Sequence, residues 1–425
     1  MKAQKSIQIV IAGAGIGGLG AAIALRRAGH KVIVLEQAPE FAEIGAGVQV
    51  PPNASRELIR WGLEAEMEAI ASHPDRINYR SWETGKPHGY TVIEDVRERF
   101  GAPYWQVYRP DYHTVLLNAA IRHGADVRAA SEVKEYLISE CAIVLANGQK
   151  IRADIIIGAD GVKSIARKAM GINVEPHETG DTCFRVVIPK EKLLADPDLA
   201  ELTLRPGFEQ WLGPDHHIIG YNVSKENYFN LLMVIPDDKT MIGYKAPASA
   251  TEVRKAYKGW NKTVEKLLSF LPEDVERWRL VDLLPINHWI HPSNNLILMG
   301  DAVHATLPYL AQGAAMAIED AATLGNLFAT ITSVDDVPRI LQMYSQIRMP
   351  RVHAIQRGSY TNRFFIHMST GPMLEMRNNI FAVGDYIGSP NLMGNTLFTD
   401  WMYGYDAEAK TQKEMKVVGR YRANL

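Results

Sequence analysis

Ile7-Gln8-Ile9-Val10-Ile11-Ala12-Gly13-Ala14-Gly15-Ile16-Gly17-Gly18 is the stretch that decides the fold of this 425-residue chain. Its apolar, β-branched opening reads as a strand buried on both faces. The glycines interrupt that strand, and Leu19 to Ala28, rich in Ala and Leu, reads as a helix stopped by Gly29. Lys31-Val32-Ile33-Val34-Leu35 follows as a second strand with Glu36 at its end. Strand, G-x-G-x-x-G, helix, strand and acid are in register for a dinucleotide-binding βαβ unit. Gly13 allows the tight turn, Gly15 lets backbone approach a pyrophosphate, and Gly18 lets helix pack on strand. The phosphates are expected at the positive end of the helix. Glu36, 21 positions after Gly15, suits a ribose diol and repels a 2′-phosphate.

Two more buried strands end in the same way. Ala153-Asp154-Ile155-Ile156-Ile157 runs into Gly158-Ala159-Asp160-Gly161, and Asn295-Leu296-Ile297-Leu298-Met299 runs into Gly300-Asp301. Between about 178 and 290 the texture changes. Runs such as Cys183-Phe184-Arg185-Val186-Val187-Ile188 and Phe229 to Ile235, bounded by Pro and Gly, predict an antiparallel sheet. From about 311 the chain reads as mostly helical. The expected organisation is α/β with an α+β insert. A discontinuous Rossmann-like domain occupies 1–177 and 291–330, a β-rich substrate-binding insert 178–290, and a helical region 331–425.

Composition narrows the function. Hydrophobic residues are 47% and charged residues 22%, ordinary for a globular protein. Lys plus Arg is 46 against 48 Asp plus Glu, so no field of one sign is available for a nucleic acid or an anionic membrane. Cys141 and Cys183 are too few for a disulfide framework or a tetrahedral zinc site, and both read as small buried hydrophobes. Neither a signal peptide nor a run of 18 apolar residues is present. The expectation is a cytoplasmic protein with no transmembrane segment and no metal.

The chain resembles the single-component FAD-dependent aromatic monooxygenases, the para-hydroxybenzoate hydroxylase and salicylate hydroxylase group. Three motifs carry the resemblance, in order: the glycine turn with Glu36; Gly158-Ala159-Asp160-Gly161-Val162-Lys163-Ser164-Ile165-Ala166-Arg167; and Gly300-Asp301-Ala302-Val303-His304 with Pro308 and Gln312-Gly313-Ala314. Glu43-Ile44-Gly45-Ala46-Gly47-Val48-Gln49 and Arg109 add to it.

This resemblance implies a Rossmann-like FAD domain of the para-hydroxybenzoate hydroxylase type. Gly13, Gly15, Gly18 and Glu36 would hold the ADP half, and Arg109 the phosphate and ribityl region. Gly47 and Val48 would line the isoalloxazine, and Asp301 the ribityl chain. Gly313 and Ala314 would offer N–H groups to the pyrimidine edge, where they stabilise the reduced anion. Asp160, Gly161 and Arg167 would serve FAD and a visiting NADPH or NADH. Ala315 stands where fuller versions of the third motif carry Asn. The implied chemistry is insertion of one oxygen from O2, through a flavin C4a-hydroperoxide, into a phenolic or other electron-rich ring. Ring, decarboxylative and dearomatising hydroxylation all fit, as does epoxidation of an indole. A reductase or oxidase without oxygen insertion, and a non-enzymatic redox-sensing flavoprotein, are the rival readings. A monomer or a homodimer fits equally.

Two residues of the insert are the candidate catalytic groups. Arg185 sits mid-strand in an apolar run, where burying it without a partner is costly. Tyr221 is expected on a neighbouring strand, and together they would hold a phenolate. His304 and Trp289 read as packing residues. His216 and His217, adjacent on a strand, point to opposite faces and make a poor metal site.

Overall fold

A computed structural model provides the architecture, describing residues 2–41, 45–204, 207–368 and 371–423, the last six by backbone only. Glu43 and Ile44 lie outside the described residues. A five-stranded parallel sheet has the order Leu296–Leu298, Ile155–Gly158, Gln8–Ala12, Lys31–Leu35, Asp126–Arg128. The three strands that run into glycine, two of them with an acid just after, therefore lie side by side, although about 140 residues of chain separate each from the next. Their side chains are buried on both faces, which is why they read as continuous apolar runs rather than alternating ones. The helix Ile16–Arg27 packs with Gly313–Phe328 on this sheet.

The second layer is an eight-stranded sheet. Its order is Lys245–Ser249, Asp274–Asp282, His177–Pro189, Tyr228–Pro236, His217–Val223, Gly207–Leu212, Arg76–Ser81, Pro87–Val92. Alternation sorts its two faces. Phe184, Val186, Ile188, Trp211, Phe229, Leu231 and Met233 form a separate core beneath the helices of the insert. Residues one position out of phase, among them Arg185, Gln210, Ile219, Tyr221, Asn230 and Leu232, face the dinucleotide side.

Two of these strands come from upstream of 178, where the sequence reading places them in the dinucleotide part. Arg76–Ser81 adds parallel to the edge of Gly207–Leu212, which would otherwise leave its ladder groups unpaired. The period-two burial of Ile77, Tyr79 and Ser81 is the trace of this in the sequence. The sheet also separates Arg185 from Tyr221. The strand Tyr228–Pro236 runs between theirs, so they are second neighbours rather than adjacent, about 10 Å apart from strand to strand.

After the last parallel strand the chain is helical. Val337–Ile366, with Pro350 inside it, is followed by Gly371–Val383, Thr396–Tyr403 and Ala407–Ala423.

Candidate active site

The two sheets and the first helical turns after them enclose a cavity of about 350 Å³. Its first wall is the glycine turn. Gly13 takes φ +106°, and a Cβ on Gly18 would collide with the Gly13 carbonyl, so each glycine is required where it stands. A Cβ on Gly15 would meet no protein atom within 4 Å, and Gly15 lines the cavity. The turn thus offers bare backbone at a helix N-terminus, which is what a pyrophosphate needs. It is held from behind. The Glu36 carboxylate accepts from Ala14 N–H at 2.9 Å and Ala38 N–H at 3.0 Å, and the His113 ring bonds the Ala14 carbonyl at 2.7 Å.

The second wall joins Met299-Gly300-Asp301 to the start of the helix Gly313–Phe328. Asp301, Gly313 and Ala314 all line the cavity, so the free N–H groups of that helix and one carboxylate border it. A buried charge cluster sets the wall in place. Asp320 accepts from Gly300 N–H (3.0 Å), His304 Nε2 (2.6 Å) and Arg348 Nε (2.7 Å). Next to it, Glu319 takes a two-pronged bond from Arg351 (2.7 and 2.8 Å), a bond from Asn53 Nδ2 (2.6 Å) and the Arg348 guanidinium. Asn53 also donates to Gln312, the residue before Gly313. Burial alone would raise both carboxyls. The guanidiniums of Arg351 and Arg348 on Glu319, and His304 with Arg348 on Asp320, overcome it and hold both below their ordinary values.

The third wall is the inner face of the large sheet, and it carries Arg185, His217 and Tyr221. The two halves interlock at Gly47. Its N–H donates to Asn230 Oδ1 at 2.7 Å, and a Cβ there would lie 2.5 Å from the Tyr221 hydroxyl. Val48 and Arg109 line the same space. Among the described residues no carboxylate pairs with Arg185; its guanidinium faces the cavity and interacts with the Cys183 thiol. Burial raises the Tyr221 hydroxyl far above its usual range, with Arg185 and a hydrogen bond to Gln49 opposing, so Tyr221 is a neutral phenol at working pH.

Most of the expected cofactor residues thus line the cavity; Gly13, Gly18 and Glu36 shape the turn without lining it, and Asp160 and Arg167 are placed differently. The Asp160 carboxylate turns away from the cavity and caps the helix Ile165–Ala169, accepting from Ser164 Oγ (2.5 Å), Ile165 N–H (2.7 Å) and Ala166 N–H (3.0 Å). Four orphan N–H groups at a helix start explain this. Ala159 and Gly161, on either side of Asp160, reach the cavity instead. Arg167 is wholly buried and spends its guanidinium on the carbonyls of Val174, Ala302 and Val162, so it cannot meet a passing nicotinamide. It ties the second motif to the third. Of the two cysteines, Cys183 is buried and Cys141 only partly so.

Three features escaped the sequence reading. His217 is on the cavity face while His216 bonds the Pro214 carbonyl, an outcome that the opposite-face rule anticipates without saying which of the two points inward. Asn230 is a polar residue inside the apolar run 229–235, a readable anomaly. The Glu319, Asp320, Arg348, Arg351 cluster had no local signal, because its cations lie about 30 residues beyond its acids.

The glycine backbone, the Asp301 carboxylate and the helix start at Gly313 fit FAD along the first two walls. Asp301→Ala is therefore expected to lower FAD affinity about 10- to 100-fold, the cost of losing charged hydrogen bonds to hydroxyls. Flavin absorbance retained after gel filtration measures it; full retention would remove Asp301 from the cofactor site.

The chain matches the FAD binding domain family over residues 6–359. It is 33% identical over 415 residues to the FAD-dependent monooxygenase OpS4 of Beauveria bassiana, covering 96% of each chain. It is 32% identical over 412 residues to 3-hydroxybenzoate 6-hydroxylase 1 of Aquipseudomonas alcaligenes, covering 95% of this chain and 98% of that one. A salicylate hydroxylase substrate complex has the same fold, with TM-score 0.79, 23% identity and coverage of 96% and 97%. With family, relatives and fold in agreement on a cavity built in this way, the chain belongs to the FAD-dependent aromatic monooxygenases.

Proposed function

We propose that the protein uses NADPH or NADH and O2 to hydroxylate a phenolic or related electron-rich aromatic ring. The observation that carries the reading is the junction at Gly47, where the flavin side of the cavity meets a wall bearing Arg185, His217 and Tyr221. Bound FAD supplies the oxygen-activating chemistry there; the chain's residues bind and orient the ring, keep water out and manage its proton.

Arg185 stabilises a phenolate oxygen, whose electron density favours attack by an electrophilic oxygen. Tyr221, a neutral phenol, donates or accepts a hydrogen bond beside it. Leu232, on the strand between theirs, stands opposite Arg185 on one side and Ile219 on the other, and gives the ring an apolar floor. Glu36 fits the adenosine ribose and Arg109 the phosphates. The relatives' substrates, hydroxybenzoate and hydroxynicotinate among them, are small rings with one acidic substituent and one hydroxyl, which suits a single cation beside a hydrogen-bonding pair. No described helix is long and apolar enough to cross a membrane. A cytoplasmic setting, with its supply of nicotinamide, suits the reading.

The test is anaerobic reduction of the bound flavin by NADPH and by NADH, alone and with phenol, salicylate, 3-hydroxybenzoate and indole. Acceleration by one ring, followed under air by a product carrying one atom from isotopically labelled O2, is the expected result. Reduction indifferent to every ring, with no label incorporated, would favour a reductase or oxidase.

A further inference from the structure

The inner face of the large sheet carries one polar side chain that nothing in the chain engages. Five carboxamides line the cavity, and four of them have protein partners. Asn230 accepts from Gly47 N–H, Gln49 accepts from the Tyr104 hydroxyl, Asn362 donates to the Tyr309 carbonyl at 2.8 Å, and Asn391 donates to the Tyr79 hydroxyl at 3.0 Å. The fifth, Gln210, makes no side-chain hydrogen bond among the described residues. It is only 7% exposed, yet neither amide atom is sealed, so Oε1 and Nε2 open into the space that Gln210 lines. A nearly buried carboxamide with donor and acceptor both unused is costly unless something arrives to pair with it.

Strand register fixes where Gln210 lies relative to Arg185. Arg185 stands opposite Leu232, Leu232 opposite Ile219, Ile219 opposite Gln210, and Gln210 opposite Tyr79, in one unbroken row across five strands. All five residues line the cavity. The row therefore runs from a cation over two apolar rungs to a carboxamide. Tyr79 closes it, stacked on Phe381 with ring centroids 4.0 Å apart and with its hydroxyl taken by Thr91 and Asn391. Three strand spacings put about 14 Å between the Arg185 and Gln210 backbones. Side chains rise roughly perpendicular to a sheet, and a hydrogen bond of about 2.9 Å at each end leaves about 8 Å between the polar ends of a bridging ligand. That is too long for one ring with both polar atoms attached directly. It suits a ring that carries a carboxamide or is fused to a lactam.

We propose that Gln210 selects the substrate, an aromatic ring whose end opposite the Arg185-bound oxygen bears an amide edge, N–H beside C=O. This rests on the aromatic-hydroxylase reading above. The Gln210 fork offers a donor and an acceptor side by side, the pattern with which a carboxamide pairs to an adjacent acceptor and donor on a planar ligand. The fork can turn over, so either order along the ligand edge is read. Leu232 and Ile219 are the floor between the two ends. A carboxylate at the far end is disfavoured. Among the described residues the cations lining the cavity are Arg185, which the phenolate occupies, and Arg109, assigned above to the phosphates. Beside Gln210 an acid would meet one N–H and an opposed carbonyl oxygen.

The test is titration of the FAD-loaded enzyme, followed by flavin absorbance, with phenol, 4-hydroxybenzoate, 4-hydroxybenzamide, 6-hydroxyquinoline and 6-hydroxyquinolin-2-one. Each amide is expected to bind about 5- to 150-fold more tightly than its counterpart without the amide, the worth of two hydrogen bonds made in a buried site. Whichever amide gains more distinguishes a carboxamide substituent from a fused lactam. Gln210→Leu is expected to erase the gain with FAD content kept. Gln210→Glu is expected to move the preference to 4-hydroxybenzamidine, whose paired N–H groups match a carboxylate. If phenol perturbs the flavin but the amides show no advantage, or keep the same advantage in Gln210→Leu, the Gln210 site is overturned and the aromatic reading stands. If neither phenol nor any other of these rings perturbs the flavin, the aromatic reading itself falls and takes the Gln210 site with it.

Discussion

Arg348→Ala is expected to destabilise the protein by about 3–5 kcal/mol, the cost of removing one partner from a buried ion pair. Arg348 is fully buried, bonds Asp320 at 2.7 Å and lies 2.6 Å from Glu319. Its loss leaves two adjacent carboxylates with the Arg351 guanidinium and a hydrogen bond from His304 as their remaining support, in a place water cannot reach. Those carboxylates hold the Gly300 amide and, through Asn53 and Gln312, the helix start at Gly313. The destabilisation should therefore come with flavin loss, and a drop in Tm on the order of 5–10 °C, or more, is expected for a change of this size. Thermal unfolding followed by flavin release measures both; a variant with unchanged Tm would show that the cluster is not holding the wall.

The same cluster gives a pH dependence whose sign is fixed. Glu319 and Asp320 titrate lower in the folded protein than in the unfolded chain. Their contribution is therefore complete above the unfolded values of 4.5 and 3.8 and is lost as pH falls through the folded ones. Stability should be flat in this respect at neutral pH and fall on acidification. Tyr405 adds to the site from the tail, its ring centroid 3.8 Å from the Arg351 guanidinium carbon. The aromatic segment 401–406 thus has a definite task within the chain, covering the cations of this cluster.

Arg185→Ala is expected to leave FAD content unchanged and to lower hydroxylation on the order of 30- to 5,000-fold. That range follows from about 2–5 kcal/mol for truncating one member of a desolvated charge pair, each 1.36 kcal/mol being a factor of ten. The separation of effects is the informative part. Arg185 belongs to the sheet wall and not to the two walls that suit FAD, so flavin absorbance should survive while product formation fails. Arg185→Lys should recover part of the activity, since the charge returns without the planar fork. Turnover within a few-fold of the unaltered enzyme would make Arg185 a structural residue, and the substrate oxygen would then rest on His217 and Tyr221.

The dinucleotide half was legible because its signals are local. A glycine that must take positive φ, a glycine that must not carry a Cβ, and an acid at a strand end occur at fixed offsets within one βαβ unit, so Gly13, Gly15, Gly18 and Glu36 could be named from spacing. Buried parallel strands also announce themselves as unbroken apolar runs, and all three that run into glycine were readable. The sheet wall was legible only as a texture. Alternation assigns residues to faces, but strand order decides which faces meet, and no spacing showed that Tyr228–Pro236 separates Arg185 from Tyr221 or that 76–92 joins the sheet. Asp160 shows a different limit: an acid within a glycine motif serves equally as a ligand to a cofactor or as a helix cap, and hydrogen-bond geometry chose the cap. What the tertiary structure alone decided are the long-range pairings of charge and ring, Glu319 with Arg351, Asp320 with Arg348, and His217 with His367 across 150 residues. Such pairs leave no periodic trace, because the groups are brought together by packing of distant segments and not by the repeat of any one helix or strand.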